Sequence, residues 1–146
     1  MKPIRQAGTE DLERIAEIEV FNYRLYFYPI FRTDDFFFDI LRVSERIRHY
    51  DTELHHLWVW DDGAVKGFFH IMGQEVRKLF VEPAVHSGGI GGALLDYAVK
   101  HLGAKELWAL EKNHRAIAFY ARHGFYPTGE RRLEEGTQEY LIRMSR

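Results

Sequence analysis

Cysteine is absent from this chain of 146 residues, and its absence excludes several kinds of site. Without a thiol the protein can form no disulfide, no thiolate metal site and no cysteine nucleophile. An excess of charge of one sign is lacking too, because 20 lysines and arginines and 22 acidic residues leave a formal net charge of -2. We therefore expect no basic surface for nucleic acid or for an anionic membrane.

Long apolar runs are also missing. No stretch approaches the roughly 20 apolar residues that span a bilayer. The opening residues, MKPIRQAGTEDLERI, are charged and lack the apolar segment of a signal peptide. The length suits a single domain over residues 1–146, and a composition that is 46% hydrophobic and 29% charged is typical of a globular protein. We therefore expect one cytoplasmic domain.

Periodicity and turn signals predict a mixed α/β (α+β) fold around one central sheet, in the order βααβββαβαββ. In the first half they predict a strand at residues 2–6, a helix capped by Thr9, a loop through the aromatic stretch around Pro29, and a second helix from about Thr33 to Tyr50. The second half is predicted to hold a hairpin turning at 61–63, a strand at 75–83, a helix at 90–102, a strand at KELWAL, a helix at 113–123 and two final strands.

The stretch VHSGGIGGALL, residues 85–95, places four glycines where a predicted strand gives way to a predicted helix. Backbone amides in the first turn of a helix have no partner within it and lie at the positive end of its dipole, so they bind phosphate well. A tight turn alone would need only one glycine, whereas four let a phosphate approach the amides closely. The pattern fits neither a Walker loop nor the spacing of a Rossmann fingerprint.

The segment LFVEPAVHSGGIGGALL resembles the signature of the GCN5-related N-acetyltransferase (GNAT) family, in which Gln/Arg-x-x-Gly-x-Gly/Ala follows an apolar strand. Gly89 and Gly91 match the two glycine positions, whereas His86 stands where the family usually has Gln or Arg. The later segment LWALEKNHRAIAFYARHGF is similar to a second family motif, with its strand, capping Asn, Ala, Tyr and closing Gly-Phe. The resemblance implies a single-domain GNAT-like fold with a mixed, mostly antiparallel central sheet.

The same resemblance implies that acetyl-CoA is the cosubstrate. No metal site is expected, because His55 and His56 are predicted to point to opposite faces of a strand. Backbone groups of Leu79, Phe80 and Val81 are expected to pair with the pantetheine arm, where family strands splay apart. Asn113 is expected to bond the pantetheine amides while capping its helix. The loop residues implied in cofactor binding, mainly through amides that hold the diphosphate, are His86, Ser87, Gly88, Gly89, Ile90, Gly91 and Gly92.

Tyr120 follows Asn113 by seven residues and Ala116 by four, so the three side chains are predicted to share one helix face. The resemblance makes Tyr120 the acid that protonates the departing CoA thiolate, since a phenol keeps its proton at neutral pH. A core tyrosine with a satisfied hydroxyl is the plainer alternative.

A base must deprotonate the attacking amine, and the residues leave it open. Glu75 lies four residues before Leu79, so we expect the two side chains to share a strand face. By resemblance Glu75 is the base, although a solvated charge at the strand edge explains it equally well. Trp108 stands where relatives that acetylate ribosomal protein termini have a glutamate, which disfavours that acceptor. The other candidates for the base are Glu82, Glu111 and His70.

Together these residues imply an acetyl-CoA-dependent N-acetyltransferase in which a primary amine attacks the thioester directly. The acceptor is a small-molecule amine or a peptide amine. Tyr23, Tyr26 and Tyr28 are candidates for lining its pocket, in an aromatic segment that also suits core packing or a homodimer contact. Two alternatives stay open: a module that binds acetyl-CoA without turnover, and a transferase for a longer acyl-CoA.

Overall fold

The computed structural model describes residues 3–86 and 88–146. Its strands are β1 (Ile4–Gln6), β2 (Leu57–Asp61), β3 (Val65–Met72), β4 (Glu75–Val81), β5 (Glu106–Leu110), β6 (Tyr126–Leu133) and β7 (Tyr140–Ser145). In the described residues they form one sheet in the order β1-β2-β3-β4-β5-β7-β6, and every neighbouring pair except β4 and β5 is antiparallel. The predicted fold class is confirmed.

Helices cover both faces of this sheet. Those described are α1 (Leu12–Asn22), α2 (Tyr28–Phe31), α3 (Val43–Asp51), α4 (Ile90–Leu102) and α5 (His114–Arg122). α1 and α3 pack on one face, and α4 and α5 pack on the other. The apolar residues of α4 recur every four positions, so Leu94 and Ala98 are fully buried against the strands. Among residues 3–86 and 88–146, no helix has the length and apolar character needed to cross a membrane.

The aromatic segment before β2 is more helical than predicted. α1 continues through a π-helical turn at Tyr23–Phe27 into α2, and a second π-helical turn at Asp35–Ile40 precedes α3. The predicted loop is wrong because Pro29 lies in the first turn of α2, where its missing N–H costs no hydrogen bond. The predicted second helix is likewise divided near Leu41, which is buried with Val20 and Phe37 in a small separate core.

The sheet opens between β4 and β5. These strands pair only at Glu75 with Glu106 and at Val76 with Leu107. Directly after that point the β3–β4 register shifts, because Ile71 pairs with Val76 but His70 pairs with Lys78, which leaves Arg77 as an extra residue in a bulge. Beyond the bulge β4 stays with β3 while β5 stays with β7, so a gap forms between them.

Candidate active site

A cleft of about 1400 Å³ occupies the gap between β4 and β5. The first turn of α4 and one face of α5 line one side of it. The other side is lined by the aromatic segment after α1 and by the turn between β6 and β7.

The free edge of β4 faces this cleft. The amide of Glu82 donates to the carbonyl of Lys66 next to β3 at 2.8 Å, so alternation along the strand turns the backbone groups of Leu79 and Val81 the other way, into the gap. The backbone groups of these two residues are therefore free of the β3–β4 ladder and directed at the gap. Phe80 differs, because its backbone is directed at Phe68 of β3 and only its side chain lines the cleft.

The first turn of α4 supplies amides at the mouth of the cleft. Gly89 is its N-cap and has a left-handed φ of 84°, a conformation that favours glycine. The first bond from the helix back to this residue is Ala93 N–H to the carbonyl of Gly89, at 3.1 Å, so the amides of residues 90–92 have no partner within the helix. Ile90, Gly91 and Gly92 all line the cleft, as predicted for a phosphate site.

Other residues of the predicted loop are placed differently. Gly92 also allows α4 to approach α5, because a Cβ there would lie 2.9 Å from the His123 ring. Gly88 is exposed and outside the cleft lining, with its amide donated to the carbonyl of Val85 at 3.3 Å. Ser87 lies outside the described residues.

His86 lines the cleft and bridges three parts of the chain. Its Nε2 lies 2.8 Å from the carbonyl oxygen of Val81. Its Nδ1 lies 3.1 Å from the Tyr26 hydroxyl and 3.2 Å from Nη2 of Arg115. The imidazole also stacks on the Tyr26 ring, with centroids 5.3 Å apart.

The predicted face of α5 is turned into the cleft. Asn113 caps the helix by accepting the Ala116 amide on Oδ1 at 3.2 Å, and its NH₂ group bonds to no described residue. Tyr120 lines the cleft, and in the described residues its hydroxyl has no hydrogen-bond partner. Burial raises the pKa of Tyr120 to about 12. The plainer alternative, a core tyrosine whose hydroxyl is hydrogen-bonded, does not match this arrangement.

Glu75 lies at the closed end of the gap. The bulge at Arg77 reverses the alternation, so Leu79 packs with Val76 on the α4 face and Glu75 faces the opposite way. The prediction that Glu75 and Leu79 share a face is therefore wrong. Glu75 lies outside the cleft lining, and its carboxylate is 3.4 Å from Nε of Arg77.

The other candidates for the base are outside the cleft lining as well. Glu82 pairs with Arg14 at 2.6 Å, and Glu111 pairs with Arg131 at 3.0 Å. His70 is 6% exposed, and burial lowers its pKa to about 4 although the nearby Glu53 acts in the opposite direction.

Three carboxylates that sequence reasoning did not single out line the cleft: Asp96 on α4, and Glu134 and Glu135 on the turn between β6 and β7. This turn is closed by the Glu134 amide, which donates to the carbonyl of Glu139 at 2.8 Å, and by the Thr137 hydroxyl, which donates to the carbonyl of Glu134 at 2.8 Å. In the sequence the two glutamates form part of an ordinary hairpin turn, so no local signal distinguishes them.

A buried charge network lies beside the acceptor end. Glu19 is fully buried and accepts from the Tyr50 hydroxyl and from Lys78 at 3.2 Å, and it forms an ion pair with Arg46, whose Nε lies 2.6 Å from the carboxylate. Burial lowers the pKa of Lys78, while the charge of Glu19 opposes that shift. Lys78 lines the cleft together with Tyr23. No local sequence pattern predicts this network, because its members come from three elements.

Of the three tyrosines that are candidates for lining an acceptor pocket, two line the cleft. Tyr23 and Tyr26 line the cleft, whereas Tyr28 bonds to Asp34 and packs on Phe37. Burial, followed by the charge of Glu19, raises the pKa of Tyr23 well above its ordinary value. The phenol of Tyr23 therefore stays protonated in this part of the cleft.

Sequence comparison points to one family. A sequence model described as an acetyltransferase (GNAT) domain matches residues 53–127. Over 71 residues the chain is 39% identical to the peptidyl-lysine N-acetyltransferase YiaC of Escherichia coli, in an alignment that covers 47% of this chain and 49% of that protein. The match thus spans about half the length of this curated relative.

Solved structures share the fold over the whole chain. The apo form of YjaB from Escherichia coli superposes with a TM-score of 0.71 at 24% identity, covering 99% of this chain and 97% of that one. The structure of yncA from Salmonella typhimurium, solved with its cofactor acetyl-CoA, gives a TM-score of 0.68 at 19% identity and covers 99% and 92%. At these identities the likeness concerns the fold alone.

Proposed function

The chain belongs to the GNAT acetyltransferase family, and on that premise we propose that it is an acetyl-CoA-dependent N-acetyltransferase acting on the side-chain amine of a peptide lysine. One observation carries the proposal. The gap between β4 and β5 has at its mouth helix amides that have no partner within α4, and it has the hydroxyl of Tyr120 inside it. The first is suited to a diphosphate, and the second to a leaving thiolate.

The cofactor extends along the gap in this proposal. Its diphosphate sits on the amides of residues 90–92, and its pantetheine arm lies beside the free edge of β4 as an added strand would. The NH₂ group of Asn113, left over from capping, donates to a pantetheine carbonyl from the opposite side. yncA was solved with acetyl-CoA, which supports this choice of cofactor.

The reaction is a direct transfer. The lone pair of the amine attacks the acetyl carbonyl carbon, the C–N bond forms, the C–S bond breaks, and the amine loses one proton while the thiolate gains one. The amide N–H of Leu79 faces the gap and stabilises the oxyanion that develops on the carbonyl oxygen. Tyr120, protonated at neutral pH because its pKa is about 12, donates its hydroxyl to the sulfur.

A lysine acceptor suits the opposite end of the cleft. The carboxylates of Glu134 and Glu135 attract an ammonium group, and a carboxylate there accepts the proton that the amine must lose before attack. Lys78 and Arg46 both pair with Glu19, and Arg46 also lies 3.6 Å from Glu45, so two carboxylates balance the two cations of this network beside the incoming ammonium group. The relative YiaC is named a peptidyl-lysine N-acetyltransferase, which supports this acceptor class.

The test is an acetyl-transfer assay with purified protein, acetyl-CoA and a lysine peptide with a blocked N-terminus. We expect thiol release together with a peptide that carries one acetyl group. The same peptide with arginine in place of lysine is the control and should release no thiol. If only small-molecule amines are acetylated, the acceptor is a small molecule and not a peptide lysine. Cofactor binding without transfer to any amine would make the protein a sensor, and a preference for longer acyl-CoA would replace the donor.

A further inference from the structure

The carbonyl oxygen of Val81 is already fully occupied. It points into the gap, where an added strand would need it as an acceptor. Asn22 donates to it from Nδ2 at 2.9 Å, and His86 approaches it with Nε2 at 2.8 Å. A carbonyl oxygen has two lone pairs, so both of its acceptor positions are taken by side chains.

The two donors differ in how firmly they are held. Asn22 is 3% exposed, and its NH₂ group is also anchored to the carbonyl of Ile18 at 2.8 Å. His86 is half-buried and belongs to the segment between β4 and α4, after a short 3₁₀ turn at Pro83–Val85. Of the two, His86 is therefore the donor that can leave.

The contacts of His86 also determine which of its ring nitrogens carries the hydrogen. A carbonyl only accepts, so Nε2 must carry the hydrogen that reaches Val81. A guanidinium only donates, so Nδ1 must be the acceptor, and its single lone pair is shared between Nη2 of Arg115 and the Tyr26 hydroxyl. His86 is thus a neutral imidazole in the Nε2–H form, fixed from both sides.

We propose that His86 occupies the place of the cofactor's pantetheine amide in the free protein and leaves the Val81 carbonyl when the cofactor binds. This inference rests on the proposed function, because it takes acetyl-CoA as the ligand of the gap. His86 keeps the second acceptor position of the Val81 carbonyl occupied while the cleft is empty, so this oxygen keeps both of its hydrogen bonds. Its imidazole also competes with the ligand, so it lowers the affinity for the pantetheine half of the cofactor.

The experiment separates the two halves of the cofactor. S-acetylpantetheine carries the amides that would pair with Val81, and adenosine 3′,5′-bisphosphate carries only the nucleotide half. Binding of each is measured by calorimetry for the wild type, His86→Phe and His86→Ala. Phenylalanine keeps a ring to stack on Tyr26 but has no N–H to donate. His114→Ala is the matched control, since that histidine is exposed on α5 and outside the cleft lining.

We expect S-acetylpantetheine to bind His86→Phe and His86→Ala about three- to tenfold more tightly than the wild type, because its hydrogen bond no longer has to replace an internal one. The nucleotide half should bind none of the variants more tightly. Unchanged or weaker binding of S-acetylpantetheine to both His86 variants would overturn the competition and leave the proposed function standing. A wild type that binds neither fragment nor acetyl-CoA would overturn the proposed function and the competition together.

A measurement on the free protein tests the same idea without any ligand. Long-range ¹H–¹⁵N NMR spectra distinguish the two neutral forms of a histidine ring. We expect His86 to show the Nε2–H form, and to lose its contact with Val81 when S-acetylpantetheine is added. An Nδ1–H form in the free protein would contradict the proposal, because that ring could not donate to the carbonyl.

Discussion

Replacing Tyr120 by phenylalanine removes one hydroxyl from the cleft and keeps the ring. That ring packs against Phe119 and Phe125, with centroids 5.3 and 6.3 Å away. In the described part of the chain the hydroxyl makes no hydrogen bond, so its loss leaves no partner unsatisfied. We therefore expect the free energy of unfolding to change by less than about 1 kcal/mol, as measured by urea denaturation.

The effect on turnover follows from the pKa of about 12. A thiol of the CoA kind ionises near ~8.5, so complete proton transfer from this phenol is uphill unless the cleft raises the basicity of the thiolate as well. The hydroxyl then acts mainly through a hydrogen bond to a developing charge, which contributes about 1.5–3 kcal/mol. Tyr120→Phe should therefore lower kcat by roughly 10- to 150-fold.

The assay is steady-state thiol release with saturating acetyl-CoA and a lysine peptide, from about pH 6 to pH 10. Because a tyrosine with a pKa of about 12 stays protonated over this window, the ratio of the wild-type rate to the variant rate should be constant. A kcat within threefold of wild type would show that the thiolate leaves unaided. A variant that is strongly destabilised, with activity lost only in proportion to folded protein, would show that the hydroxyl is structural.

Three further predictions concern other parts of the molecule. Gly89→Glu should weaken acetyl-CoA binding at least tenfold in calorimetry. The control Gly129→Glu should not weaken it, since Gly129 has a similar positive φ and an equally open site. Equal losses in both variants would show that Gly89 is not part of the diphosphate site. Glu134→Gln should raise KM for a lysine peptide about tenfold and flatten the acidic side of the pH–rate profile. The control Glu75→Gln should change neither. The reverse result would restore Glu75 as the base. His70 has a pKa of about 4 in the folded chain. As pH falls below 6.5, His70 is protonated in the unfolded chain before it is protonated in the folded one. The wild type should therefore lose up to about 3 kcal/mol of unfolding free energy between pH 6.5 and 4 in urea titrations. An equal loss in His70→Gln would refute this.

The local parts of the site could be read from the sequence. Asn113, Ala116 and Tyr120 share a face because helical geometry repeats every 3.6 residues, and the structure turns that face into the cleft. The glycines of α4 are likewise informative, since the need for a positive φ at Gly89 and for exposed amides in the first turn depends on that turn alone. In both cases neighbours in sequence determine the geometry.

The remaining features depend on residues that are distant in the chain. Strand alternation predicted a shared face for Glu75 and Leu79, but the bulge at Arg77 reversed it, and that bulge arises from the register between β3 and β4. Glu134 enters the site because β7 pairs with β5 and carries the turn before it to the acceptor end. Periodicity along one segment contains no information about such pairing. Tertiary structure alone therefore decided which carboxylate reaches the cleft and that His86 meets Val81 and Arg115 across it.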